Sequence, residues 1–390
     1  MNRKAQFIRQ PRYYNDFHCM GGSCPMSCCL IWRVDWTRAE VERLKNTECS
    51  ERLRTLIDNS FIQRGNDSEW FVINMDEKKR CPFLTEDNFC SIQRELGAEY
   101  LSNTCMVYPR GSFLMGNTVL NYCTLSCYNV METLCSDKDC MTLENYTLSG
   151  RSVKANMDNN VEMINHPELK YRKQIFDFFY EIISDDSHSI ETSITLGALA
   201  AHSLSKLIER KAYDKIASSI SAMKKQLNDP VQIKKLEELK PNYSIKLGFA
   251  SEINRIIIKS DMIDKLCEDG GIKIEKYNDG MNKFYADFSD RPFALRNIAL
   301  NLFMECRMPF RDITLSLFEN YCYYVASFAA MKLAAASIYT FHPDPKLGFK
   351  GTAAYVSRSF AHNDASAKEI VKIYKAFNCM SPAYIALILK

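Results

Sequence analysis

Beyond residue 165 the apolar positions recur at spacings of three and four. Ile175, Phe176, Phe179, Ile182 and Ile183 fall on one helical face, and Pro167 stands just upstream, where a helix start tolerates a missing N–H. The same period returns in 194–208, 253–258, 293–303 and 355–377, each predicting an amphipathic or buried helix. Breaks are predicted at 228–230, 240–242 and 342–351, where Asn, Pro and Gly gather. Residues 321–341 (YCYYVASFAAMKLAAASIYTF) are apolar for long enough to span a bilayer, but Lys332 places at their centre a charge that hydrocarbon penalises by roughly 3 kcal/mol. This stretch predicts a buried core helix, with peripheral membrane association as the alternative. Alternating strand runs with glycine turns are missing from this half. The predicted fold is therefore mainly α, with a cysteine-rich metal-binding N-terminal domain over 1–150 followed by an α-helical domain over 151–390. The boundary is placed in the polar stretch 137–160.

Composition narrows the partners. The chain has 390 residues, 46% hydrophobic and 25% charged, enough for two packed domains, and no low-complexity tract. Its net charge of +3 is spread evenly, so no basic field points to nucleic acid. The first ten residues, MNRKAQFIRQ, are polar and no apolar signal core follows, which predicts a cytoplasmic protein. In that reducing compartment the 16 cysteines read as metal ligands, catalytic thiols or buried small residues, and a disulfide framework is disfavoured.

Their distribution is what matters. All but Cys267, Cys306, Cys322 and Cys379 precede residue 150, as do the three tryptophans. Cys19, Cys24, Cys28 and Cys29 fall within eleven residues, with Gly21, Gly22 and Pro25 supplying the turn such crowding demands. Cys81 and Cys90 form a second block, Cys105 with Tyr108 and Pro109 a third, and Cys123 with Cys127 a fourth. One buried thiol is ordinary packing; four dense groups in one segment are not. Thiolates suit Zn²⁺ and iron–sulfur clusters. Structural zinc favours Cys-x-x-Cys pairs, and this chain has none, whereas iron–sulfur sites tolerate looser spacings. The Cys-x-x-x-Cys-x-x-Cys spacing of radical enzymes is also broken, because Ile31 stands at its third position.

At these residues the sequence resembles the flagellin lysine-N-methylase family of enterobacteria and, more distantly, cysteine-cluster proteins regarded as zinc- or iron-chelating. The likeness runs through Phe17–Cys29, Cys81-Pro-Phe-Leu with Cys90-Ser-Ile, Cys105-Met-Val-Tyr-Pro and Ser126-Cys127, then through 297–310 and 357–363. The resemblance implies a cytoplasmic enzyme that methylates lysines of flagellin from S-adenosylmethionine, with a 4Fe-4S cluster required. Cys19, Cys24, Cys28, Cys29, Cys81, Cys90, Cys105 and Cys127 form the candidate ligand set, with zinc as the alternative metal.

No two glycines stand two positions apart, so the dinucleotide-type phosphate loop is missing and a methyl donor would bind elsewhere, at an open iron or in the helical domain. Arg358 and His362, four residues apart on a predicted helix, are the candidate catalytic pair, since Arg358 can hold a ligand carboxylate; the competing reading is a solvated helix face. His202, inside an apolar helix, reads as a hydrogen-bonded core residue. Two other classes stay open: a zinc-stabilised adaptor or chaperone without catalysis, and a metal or redox sensor.

Overall fold

The computed structural model describes residues 5–30, 34–65, 67–148, 166–268, 271–361 and 365–390. It is mainly α-helical with small sheets, as the periodicity of the second half predicts. The chain divides into two compact units, Phe17–Gly111 with Cys127–Asn129, and Met1–Asp16 with Ser112–Ser126 and Val130–Lys390. Among the described residues the strands are β1 (Phe7–Pro11), β2 (Asp35–Thr37), β3 (Phe61–Arg64), β4 (Asp67–Ile73), β5 (Arg110–Met115), β6 (Thr118–Cys123), β7 (Leu143–Thr147) and the short antiparallel pair β8 (Cys267–Glu268) and β9 (Gly271–Ile272). Residue 150, where the sequence places a boundary, lies outside the described residues.

In the smaller, cysteine-bearing unit β2, β4 and β3 form an antiparallel sheet in that order, with Trp36 opposite Phe71. The helix Arg38–Lys45 starts where it does because Thr37 and Glu40 cap each other reciprocally: Glu40 N–H donates to Thr37 Oγ1 at 3.3 Å and Thr37 N–H to Glu40 Oε2 at 2.8 Å. Ser50 caps the next helix, Glu51–Asn59. Val41, Leu44, Leu53 and Ile57 turn inward from these helices onto Trp36, Ile73 and Phe83 to make the core, and Cys49, Cys81, Cys90 and Cys105 pack against its edge.

The larger unit opens with a mixed sheet in the order β5-β6-β1-β7, with β1 parallel to β6 and antiparallel to β7. This pairing commits the first residues of the chain to the helical unit. Its central helix, Leu317–Phe341, begins with a Ser316–Glu319 capping box and is long and apolar enough to cross a membrane, yet 83% of its most apolar stretch is buried. Lys332 donates to Glu191 Oε1 and to the Leu389 carbonyl, both at 2.7 Å, so its charge is met inside the protein, as a buried core helix requires. Helices close onto it where side chains vanish: a Cβ on Gly280, in the helix Ile274–Asp287, would come within 2.1 Å of the Ala336 carbonyl oxygen.

Two helix predictions differ from the structure. The stretch 355–377 is divided between the helices Pro345–Ala361 and Ser366–Ala376. The first of these begins inside the predicted break 342–351, because Pro345 occupies the first helical position, where its missing N–H is no loss. Residues 253–258 close the helix Tyr243–Ile253 with a π turn, Asn254–Ile258, ended by Lys259 in the left-handed region at φ 56°.

Candidate metal centre

The centre is built in the cysteine-bearing unit by four chain segments, of which the Cys81–Cys90 loop and the Cys127 segment hydrogen-bond the first. In the first, Gly21 takes φ +56°, and Gly22 lies where a Cβ would come within 2.6 Å of the Asp87 carbonyl oxygen. Both positions need glycine, one for its conformation and one for its close approach to the second loop. The Cys81 N–H donates to the Cys29 carbonyl at 2.9 Å, tying the first cysteine block to the second. Within the second, Ser91 N–H reaches the Phe83 carbonyl at 2.8 Å and Thr85 N–H the Phe89 carbonyl at 2.9 Å, folding 81–91 back on itself so that Cys81 and Cys90 face the same way. Arg80 fastens this turn through the Leu84 and Thr85 carbonyls. Cys105 lies in the first turn of the helix Asn103–Val107, its N–H capped by Ser102 Oγ at 3.1 Å. Asn129 donates to the His18 carbonyl at 2.7 Å, holding the Cys127 segment against the first loop.

The outcome is one cavity of about 250 Å³ lined by all eight cysteines of the candidate ligand set, Cys19, Cys24, Cys28, Cys29, Cys81, Cys90, Cys105 and Cys127. Phe17, Trp36, Phe83 and Phe89 supply apolar wall. Gln93, Arg110 and Asn129 also face it, which no cysteine spacing signals; Arg110 stands one residue past the Tyr-Pro of the third block.

The thiols are electrostatically distinct. Cys28 donates its S–H to Cys29, and this bond, opposed by burial and helped by Ser27 and the Arg80 charge, lowers Cys29 to about 7. Cys28 is pushed up by the same bond and by burial. Burial raises Cys81 to about 12 and Cys105 to about 11, and lifts Cys24 and Cys90 as well. Cys29, Cys90 and Cys105 all act on Cys81, and Cys29 and Cys90 on Cys105, so these four thiols share one field. Among the described residues no three Cys, His, Asp or Glu side chains are placed to share a single metal ion.

The other candidates lie in the helical unit. Arg358, on the helix Pro345–Ala361, is partly buried and donates to the Ser126 carbonyl at 3.2 Å, so its guanidinium meets backbone. His362 lies outside the described residues. His202 sets its ring edge-on to Phe318 at 4.9 Å. Beside Arg358, sequence spacing misses a buried carboxyl: Glu305 accepts from Ser357 Oγ at 2.6 Å, from Thr124 Oγ1, and from Leu125 N–H at 3.2 Å, and burial holds it above the usual carboxylate range. Its partners are far away in sequence, so no local pattern marks it.

The family model of the FliB lysine N-methylase C-terminal domain matches residues 176–388. The flagellar biosynthetic protein FliU of Salmonella muenchen is 31% identical over 138 residues, 35% of this chain and 81% of that protein. Lysine-N-methylases of Salmonella choleraesuis and Salmonella typhimurium are each 30% identical over 143 residues, 36% of this chain but 35% of their own length. No solved structure matches. The family match includes none of the eight cavity cysteines and falls wholly within the helical unit. That match spans more than half of the 390 residues, and the chain belongs to the FliB lysine N-methylase family.

Proposed function

We propose that this protein is a cytoplasmic protein-lysine N-methyltransferase that acts on flagellin with S-adenosylmethionine as donor, and that its cysteine cavity holds an iron–sulfur cluster. Family membership supports the methyl transfer. The observation that carries the cluster is the convergence of four separate cysteine blocks on one cavity. The missing Cys-x-x-Cys pairs favour a cluster over a structural zinc, and the eight-thiol lining supplies more sulfurs than one zinc can use. A ring of thiols around about 250 Å³ suits a group with several iron atoms.

Cys29, Cys81, Cys90 and Cys105 are the ligands we favour, because three of them are anchored on the core and Cys81 is tied to Cys29 through backbone. A bound cluster would supply an electron-rich, Lewis-acidic centre beside the apolar wall. Cys81 and Cys105, raised by burial, are protonated at neutral pH and must release their protons on binding, so loading is favoured by rising pH. Cys29, held down by the bond from Cys28 and by the Arg80 charge, is the thiol readiest to bind first. The side chains of Phe17, Trp36, Phe83 and Phe89 give apolar wall beside thiols that stay half-buried, with Cys19 and Cys28 exposed. Transfer to a lysine requires the acceptor amine to be unprotonated, so that its nitrogen can bond the sulfonium's methyl carbon as the methyl–sulfur bond breaks and a neutral thioether leaves. Anaerobic purification with iron and sulfide analysis, beside a methylation assay on purified flagellin, tests the reading. Colourless protein with stoichiometric zinc would refute the cluster, and flagellin binding without donor consumption would favour an adaptor.

A further inference from the structure

The cysteine cavity carries one fixed charge besides its thiols. Among the described residues that line it, Arg110 is the one Lys, Arg, His, Asp or Glu, so a single cation faces a space in which ionised thiols supply the negative charge. The Arg110 guanidinium lies over the Phe17 ring at 5.2 Å and donates to the Phe17 carbonyl at 3.1 Å. Stacking on Phe17 engages the face of the group, whereas a carboxylate is bound along its edge, where the N–H donors form a fork. Arg110, Gln93 and Met106 are exposed although they line the cavity, as are Cys19 and Cys28, which marks this side as the mouth. Cys29, Cys81, Cys90 and Cys105 are partly buried. The cavity thus presents a guanidinium at its rim and thiols within.

That order of charge suits a zwitterion. Cys29, Cys81, Cys90 and Cys105 fill the four iron corners of a 4Fe-4S cubane, so a methyl donor in this cavity is held by side chains and not by an open iron. S-adenosylmethionine carries a carboxylate at one end of its methionine part and a sulfonium at the other. We propose that Arg110 binds the carboxylate of the donor's methionine end at the mouth of the cavity, an inference that rests on the cluster and the donor of the proposed function. The sulfonium then lies on the side of the thiolates, where opposite charges attract, and away from the guanidinium, which would repel it. No carboxylate among the described lining residues competes for Arg110. The Gln93 amide, exposed on the same rim, offers the amino-acid group both a donor and an acceptor.

The test measures binding to the full chain purified without oxygen, by equilibrium dialysis with S-adenosylmethionine and with its decarboxylated analogue. Native protein is expected to bind S-adenosylmethionine roughly 10- to 100-fold more tightly than the analogue, the range of a charge-assisted contact. Arg110→Gln, carrying native iron and sulfide, should bind the two ligands alike, a loss of discrimination that misfolding alone does not produce. If Arg110→Gln does not keep its iron, Arg110→Lys decides, since it retains the charge, gives up the fork and should show a weaker preference. Native-like preference in the deciding variant, or native protein that binds both ligands equally, would overturn the assignment and leave the cluster and the donor standing. Brown native protein that binds neither ligand would overturn the assignment and donor use together. Preference for the carboxylate in protein without iron would refute the cluster and keep the role of Arg110.

Discussion

Replacing Lys332 by Met keeps the length of the side chain and removes only the cation, which isolates the ion pair at the centre of the helical unit. Lys332 and Glu191 are 5% and 8% exposed, and their contact is 2.7 Å. Burial alone would raise Glu191, but the Lys332 charge and the bond from its amine, with the Tyr285 hydroxyl adding to them, hold it down to about 2. From an ordinary 4.5 to about 2, at about 1.4 kcal/mol per pH unit, the partners stabilise the folded state by about 3 kcal/mol. That agrees with the roughly 3–5 kcal/mol lost when one member of a buried pair is removed and the other charge stays behind. The sign follows from the depressed carboxyl: its contribution is complete above the unfolded value near 4.5 and is lost as pH falls toward 2. Urea unfolding followed by far-UV circular dichroism at pH 7 should therefore place Lys332→Met about 3–5 kcal/mol below the native protein with an unchanged m value. The gap should narrow as acid protonates Glu191. The double variant Lys332→Met with Glu191→Gln should lose less than the sum of the single losses, by at least about 2 kcal/mol. A loss under about 1 kcal/mol for Lys332→Met, or simple additivity in the double variant, would refute the pairing as the reason this charge is tolerated.

Further predictions concern the cavity and the helix contacts. Gly22→Ala would set a Cβ 2.6 Å from the Asp87 carbonyl, so protein purified without oxygen should carry less than half the native iron while the helical unit melts normally. Serine at Cys81, Cys90 or Cys105 should each remove most bound iron, whereas serine at Cys135, buried and outside the cavity, should leave the iron content unchanged. Gly280→Ala drives a methyl into the Ala336 carbonyl and should destabilise by at least about 1–3 kcal/mol, visible as a lowered thermal midpoint. Apo protein mixed with iron and sulfide should load faster at pH 8.5 than at pH 6.5, because the thiols raised by burial must shed protons to bind.

Much of the second half could be read from its periodicity. A stripe at three and four gives Ile175, Phe176, Phe179 and Ile183 their buried face, and a lone central lysine in an apolar stretch announces a buried partner. The partner itself could not be read: Glu191 lies 141 residues upstream, in the first turn of its helix, where an acid looks like an ordinary dipole complement. The cysteine blocks announced a shared site because thiol density and glycine placement are local signals. The scaffold around them did not show. The short strands β2, β3 and β4 are set by tertiary pairing, and the alternation that would reveal them spans too few residues to stand out. Strand β1 joins β6 across more than a hundred residues, a commitment no local pattern encodes. Glu305 likewise gains its character only from burial among distant helices.

An iron–sulfur cluster in the cysteine cavity would make metal content and flagellin methylation depend on the same thiols. The most direct measurement is iron and acid-labile sulfide per chain in protein purified without oxygen, with methyl incorporation into flagellin lysines followed in the same samples for the native protein and Cys105→Ser. Brown native protein with matched iron and sulfide that methylates flagellin is expected, with a variant that loses metal and methylation together. A native protein that methylates flagellin while carrying neither iron nor sulfide would contradict it.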